Sequence, residues 1–249
     1  MFRFPLAASA LALTLALPAH AEGLTDMTDA ERAAFGQEVR AYLLENPEVL
    51  MEAISVLEKR QAEDQAKGDA QLLADNAEAL FDDGYSYVAG NPEGDFTIVE
   101  FFDYRCGYCK KAAPEVTELL ARDGNIRLIV KEFPILGDQS VLASRFALAV
   151  KKVAGDEAYG KIHDTLMELR ADITESALRG VAEDAGLDAD AIMAAMDDDD
   201  VTNIIAKNHA LGQTLKINGT PSFVFGDEMV RGYVPLDTMQ RLVEAKREG

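Results

Sequence analysis

Over residues 29–46 the large apolar residues Phe35, Val39, Tyr42 and Leu43 recur at helical spacing behind a Thr28/Asp29 cap, so a first helix is predicted to end near Asn46. Pro47 suits the first position of a second helix, in which Leu50, Ile54 and Leu57 continue an i, i+4, i+7 stripe. Leu43, Leu50 and Leu57 are also seven apart. That spacing is compatible with a short oligomerising seam, and equally with a helix packed on its own domain. Over residues 58–71 the only apolar side chains are alanines and Gly68 interrupts, so a solvated helix or hinge is expected. Apolar contacts resume at Leu72, Leu73, Leu80 and Phe81, and Gly84, Gly90, Asn91-Pro92 and Gly94 mark turns around a short strand at residues 85–88.

The pattern then tightens. Residues 96–102 read as a buried strand, 106 to about 121 as a helix that Pro114 should kink, and 126–133 as a second strand. Residues 139–215 are helical throughout, with breaks at Gly155, at 171–174 before a Thr174 cap, at Gly186, and at the acidic run 197–200. Asn218-Gly219 turns the chain into Thr220-Pro221, a strand over 222–225, a Gly226-Asp227 turn and a short strand at 229–230, and Pro235 opens a last helix. A strand, helix, strand unit needs a right-handed crossover, so the first two core strands should be parallel and the class α/β.

Residues 1–21 carry one charge, Arg3, an apolar stretch from Leu6 to Leu17, and a small-residue end at Ala19-His20-Ala21. This predicts a secretory signal cleaved after Ala21 and a periplasmic protein. No stretch approaches 18 apolar residues, so a transmembrane helix is not expected. Removing the signal leaves 23 basic against 44 acidic residues, a formal charge of −21, which argues against nucleic acid as a partner.

Only two cysteines are present, as Cys106-Gly107-Tyr108-Cys109. Closing so short a loop would stabilise the fold by only roughly 2 kcal/mol, a poor use of a structural disulfide. At the start of a helix, however, Cys106 would be the exposed sulfur and Cys109, one turn on, the shielded one. The helix N-terminus carries about half a positive charge and unpaired N–H groups, and both favour the Cys106 thiolate, the form that attacks disulfides. A passive disulfide and half of a zinc or copper site are the other readings. Export places the pair where disulfides form and persist.

The run Glu100-Phe101-Phe102-Asp103-Tyr104-Arg105-Cys106-Gly107-Tyr108-Cys109, with Lys131-Glu132-Phe133-Pro134 and Gly219-Thr220-Pro221-Ser222-Phe223, resembles the DsbA-like branch of the thioredoxin superfamily over about residues 85–249. The N-terminal helices look like those of the suppressor-of-copper-sensitivity C group within it. The resemblance implies a thioredoxin-like α/β fold with an inserted helical domain at about 139–215, preceded by an N-terminal helical oligomerisation segment and hinge (residues 22–70). The catalytic domain would then run over 71–249. It implies a cis Thr220-Pro221 bond facing the cysteines, with the Thr220 backbone free to pair with an extended substrate. It also gives Glu100 the part of a buried acid exchanging a proton with Cys109. The catalytic set is thus Cys106, Cys109 and Glu100, with Thr220, Pro221, Gly107 and Tyr108 at the substrate. Lys131 is left between two readings, a neighbour of Glu100 or a surface partner of Glu132, and His163 and His209 are read as structural.

The strongly oxidising family member, with a thiol pKa of about 3.5, has a histidine between its cysteines. Gly107-Tyr108 supplies no such charge, so a milder pair suited to isomerisation is expected. The expected function is a periplasmic disulfide isomerase or reductase without a cofactor beyond the Cys106/Cys109 pair. Its expected partners are misoxidised periplasmic proteins, a membrane thiol reductase of the DsbD/ScsB type, and further copies of itself, a trimer being favoured. A monomeric dithiol oxidase, a Cu(I)-binding periplasmic protein and an acidic helical adaptor are the competing readings.

Overall fold

A computed structural model describes residues 27–248; the predicted signal segment lies outside the described residues. The chain divides into two units, one up to Arg60 and one from Gln61 onward.

In the first unit, α1 (Asp29–Glu45) opens with a capping box. Thr28 Oγ1 accepts from the Glu31 amide and the Glu31 carboxylate accepts from the Thr28 amide, satisfying two groups the helix cannot. Asn46 closes it by donating from its side chain to the Tyr42 carbonyl. Helix α2 (Glu48–Asp75) follows directly. α1 buries no residue, and Phe35, Val39, Tyr42, Leu50, Ile54 and Leu57 all stand exposed.

The expected interruption at Gly68 does not occur: α2 runs through it without a break. A single glycine costs about 1 kcal/mol in a helix, and the surrounding alanine, glutamate, glutamine and lysine residues are good helix formers. The last turns of α2 belong to the second unit. There Leu73 is buried, and Asp69 accepts two hydrogen bonds from the Arg231 guanidinium at 2.6 and 2.8 Å.

That unit is built on a five-stranded sheet in the order β1-β3-β2-β4-β5, from β1 (Tyr87–Gly90), β2 (Phe96–Phe102), β3 (Ile126–Glu132), β4 (Ser222–Phe225) and β5 (Glu228–Arg231). The first strand starts two residues later than expected, because Asp83 takes the Tyr85 and Ser86 amides and the Ser86 hydroxyl into a turn. As predicted, β2 and β3 are parallel; the other three pairings are antiparallel.

Alternation along the strands divides the core. Ile98, Phe102, Leu128, Val130, Phe223 and Phe225 face one side, where they join residues of α4 (Gly107–Asp123), α5 (Asp138–Glu168) and α9 (Leu236–Glu248). Val99, Phe101, Ile129 and Val224 face the other and meet Leu73, Leu80 of α3 (Ala77–Phe81), and Leu211. The inserted helices are α5, α6 (Glu175–Asp184), α7 (Ala189–Ala195) and α8 (Asp199–Thr214). Gly155 breaks α5 with a φ of 85°, a conformation that favours glycine. Gly212 of α8 lies so close to Phe133 that a methyl group there would sit 2.5 Å from the ring, which fixes how tightly α8 seats on the end of β3.

Candidate active site

Cys106 is the N-cap of α4. Its sulfur accepts the Cys109 amide at 3.3 Å, its carbonyl accepts the Lys110 amide, and its own amide donates to the Asp103 carbonyl. Cys109 sits one turn on and is fully buried, while Cys106 retains 6% of its surface. Cys106 is therefore more covered than its helix position alone suggests, because Thr220 lies against it: the thiol donates to the Thr220 carbonyl at 3.1 Å. The Thr220-Pro221 bond is cis. Both cysteines are free thiols.

The two sulfurs are tuned apart. The Cys106 thiol is pushed down to about 5, chiefly by hydrogen bonding with the Cys109 thiol, then by the Thr220 side chain and the amides of Cys109 and Tyr108, against the opposing effect of burial. Burial holds Cys109 far above the ordinary thiol range, and the neighbouring Cys106 and Glu100 raise it further. Glu100, 4% exposed on β2, is raised to about 8 by burial first and by the charge of Cys106 second. It is thus a buried acid on the cysteine side of the sheet, not a strand-end surface carboxylate.

The remaining predicted residues form the rim. Gly107 is the exposed first residue of α4. Tyr108 is 64% exposed, its ring 6.2 Å from that of Tyr233, over which Lys111 places its ammonium at 4.0 Å.

Lys131 takes neither position expected of it. On β3 it pairs in register with Phe101, so it points to the face opposite Glu100, where it is fully buried against the Asp83 carboxylate and the Ala79 carbonyl. Glu132, its neighbour, is buried on the cysteine face and accepts from Tyr104 (2.9 Å), Tyr159 (2.7 Å) and Ser144 (2.6 Å). His163 contacts the Tyr104 hydroxyl at 3.2 Å and is lowered to about 4 by burial, and His209 packs on Phe133. Neither histidine reaches the cysteines.

Sequence reasoning missed Asp103, whose carboxylate accepts the amides of Arg105, Ile135 and Leu136 and so ties the approach to Cys106 to the segment after β3. It also missed the inward face of Glu132. The alternation of β3 from Ile126 through Leu128 and Val130 carries that signal. Among the described residues no three His, Cys, Asp or Glu side chains converge on a metal-sized site. No described helix is long and apolar enough to cross a membrane.

A thiolate-favouring N-cap cysteine, a shielded partner one turn on, a buried carboxyl behind them and a cis proline in front define a thiol–disulfide oxidoreductase site on a thioredoxin fold. The chain belongs to the DSBA-like thioredoxin domain family, whose model matches residues 97–244. Residues 31–63 match the copper resistance protein ScsC N-terminal domain. A thioredoxin-like oxidoreductase from Silicibacter pomeroyi is 41% identical, covering 69% of this chain and 98% of its own with a TM-score of 0.65. ScsC of Proteus mirabilis, in a transitional conformation, is 28% identical and covers 89% of this chain and 97% of its own, also at 0.65. The Na(+)/H(+) antiporter NhaA 1 of Salinispora arenicola is 27% identical over 164 residues; the chain spans about a quarter of the length of that relative.

Proposed function

We propose that this protein is an exported, periplasmic thiol–disulfide oxidoreductase that works chiefly as an isomerase or reductase of misoxidised proteins. The observation that carries the reading is the opposed tuning of one sulfur pair. Cys106 is a thiolate at neutral pH, and Cys109 is a buried thiol that stays silent until called on.

The Cys106 thiolate attacks a substrate disulfide; a Cys106–substrate bond forms and one substrate thiolate leaves. In the isomerising branch a substrate thiolate attacks that mixed disulfide, a new substrate disulfide forms and Cys106 is restored. In the reducing branch Cys109 attacks the Cys106 sulfur, the second substrate thiolate leaves and the Cys106–Cys109 disulfide remains. Cys109 must lose its proton first, and Glu100 is the acceptor. The charge of Cys106 is one of the two causes holding Glu100 up, so forming the mixed disulfide, which removes that charge, lowers Glu100 and leaves more of it as the carboxylate that can accept the proton. Ionisation of Cys106 also removes the donor on the Thr220 carbonyl, leaving that oxygen for the N–H of an extended substrate. Tyr108 and Gly107 would border that strand.

Isomerisation is favoured over oxidation on two grounds. A thiol pKa of about 5 is milder than the roughly 3.5 of the strong oxidant. The exposed apolar stripe of α1 and α2 suits self-association, a trimer being the favoured state, which would present several sites to one substrate. A membrane thiol reductase of the DsbD/ScsB type would return the pair to the dithiol. Light scattering combined with an assay on scrambled, disulfide-rich substrate tests the reading: an oligomer that restores native disulfides supports it, and a monomer that only oxidises reduced substrate overturns it. The match to a copper-resistance domain favours one second reading, Cu(I) held by the two thiols. Titration of the reduced protein with Cu(I), with and without Cys106, separates it from exchange.

A further inference from the structure

We propose that Glu132 is a positioning residue for the cysteine pair: its buried carboxylate gathers three hydroxyls that tie Tyr104, two residues ahead of Cys106, to the helical insertion. The inference rests on the thiol-exchange reading above but is judged on a different observable.

Glu132 is the last residue of β3 and only 2% exposed. Its Oε1 accepts from Tyr104 and Tyr159, and its Oε2 accepts from Ser144, so one oxygen holds the approach to the cysteines and both hold α5. Its backbone carbonyl accepts from Asn208 of α8, and Asn208 accepts in turn from the Tyr85 hydroxyl. Three chain segments therefore converge on one residue. Burying a carboxylate is costly, and burial pushes Glu132 up to about 7 even against three donors and with Asp103 nearby. A packed apolar residue would fill the space without that cost. What the carboxylate supplies is direction, because each hydroxyl is held at one distance and angle.

Tyr104 transmits that direction. Its ring is fully buried edge-on to Phe102 at 4.9 Å, and its hydroxyl also meets His163. Immediately before it, Asp103 sets the Cys106 amide through its carbonyl and the 135–136 backbone through its carboxylate. The sulfur of Cys106 depends on the groups around it: it accepts the Cys109 amide at 3.3 Å, and the Cys109 thiol and the Thr220 side chain help to hold it low. Releasing Tyr104 loosens the segment that sets them.

The test uses the reduced full-length protein and follows the thiolate absorbance of Cys106 against pH for Tyr104→Phe, Glu132→Gln, the double variant and Lys131→Met. Lys131→Met takes the charge partner from Asp83 on the opposite face, so it lowers stability while leaving the three hydroxyl donors to the Glu132 carboxylate in place. The expected result is a Cys106 midpoint raised by about half a unit in the first three, so that roughly threefold less thiolate is present below the midpoint. The double variant should shift no further than the larger single one, and Lys131→Met should titrate like the parent. Should Tyr104→Phe and Glu132→Gln lower the melting temperature with the parental titration intact, Glu132 is a structural residue only and the proposal falls. A shift in Lys131→Met as large as theirs overturns it as well. If Glu132→Gln does not fold, Tyr104→Phe, which keeps the ring and the carboxylate, decides alone. Absence of disulfide exchange in the parent would overturn the functional reading and leave this titration standing.

Discussion

The Cys106 thiol and the Thr220 carbonyl oxygen lie 3.1 Å apart, although 114 residues separate them in the chain. The helix that lowers the thiol and the loop that carries the cis proline thus meet at one sulfur. Cys106→Ser should abolish disulfide reduction, whereas Cys109→Ser should accumulate covalent Cys106–substrate complexes. Non-reducing gels of each variant mixed with an oxidised substrate decide this, and mixed disulfides on Cys109 in Cys106→Ser would reverse the assigned roles.

Glu100→Gln keeps the shape of the buried acid and removes its capacity as a base. The resolving step should slow by about 10²-fold near neutral pH, the low end of what a positioned proton acceptor contributes. The initial attack by Cys106 should change far less. Rapid-mixing measurement of mixed-disulfide formation and decay separates the two.

The same substitution has a signature in stability. Glu100 has a folded pKa near 8 against an ordinary 4.5, so its contribution is complete below 4.5 and is lost as pH rises through 8. Cys106, lowered to about 5 from 9, has the opposite sign: its contribution is present above 9 and lost as pH falls through 5. Subtracting variant from parent isolates the carboxyl. The stability of reduced Glu100→Gln relative to the parent should rise between pH 4.5 and 8, by up to roughly 1.4 kcal/mol per pH unit. Urea unfolding at pH 5, 6.5 and 8 measures it, and a pH-independent difference would mean that Glu100 is not protonated in the folded state.

Placing aspartate at Leu50, Ile54 and Leu57 together should convert an oligomer to a monomer in light scattering while leaving reduction of a small disulfide within about twofold. These side chains are 48%, 48% and 55% exposed, so no buried contact within the unit is lost. Restoration of native disulfides in a scrambled substrate should fall by about 10-fold or more, since linked sites act through effective concentration.

Asp69→Asn should cost about 1–3 kcal/mol, because it breaks a bidentate pair and leaves Arg231 without its charge partner. For the same reason a truncation meant to free the catalytic unit should stop near Arg60, the boundary between the two units, rather than at residue 70. Thermal melts of the two truncations compare them directly.

Much of this was legible in the sequence because periodicity and spacing are local. The strand over 96–102, the helix opening at Cys106, the breaks in the insertion and the parallel pairing all follow from residues a few positions apart. Glu100 was legible through the resemblance of its run to the DsbA-like family, in which an acid at that place is buried. What escaped is long-range. Asp83 reaches 48 residues to Lys131, and Ser144 and Tyr159 reach back to Glu132, so charged residues that read as strand-end surface are in fact buried and paired. Gly68 misled for another reason: one poor helix former does not outweigh a run of good ones.

Lys131 and Glu132 are bonded neighbours with separate occupations. One secures the turn before β1, and the other secures the strand end beneath the reactive loop. A strand assigns its residues to alternate faces, so inserting a single residue early in β3 would exchange the two, setting an ammonium beneath the cysteines and a carboxylate against Asp83. Point substitutions at odd and even positions of β3 should therefore sort into two kinds of defect. A change at 131 should act on the turn that Asp83 holds before β1, whereas a change at 132 should act on the segment that Tyr104 leads into Cys106.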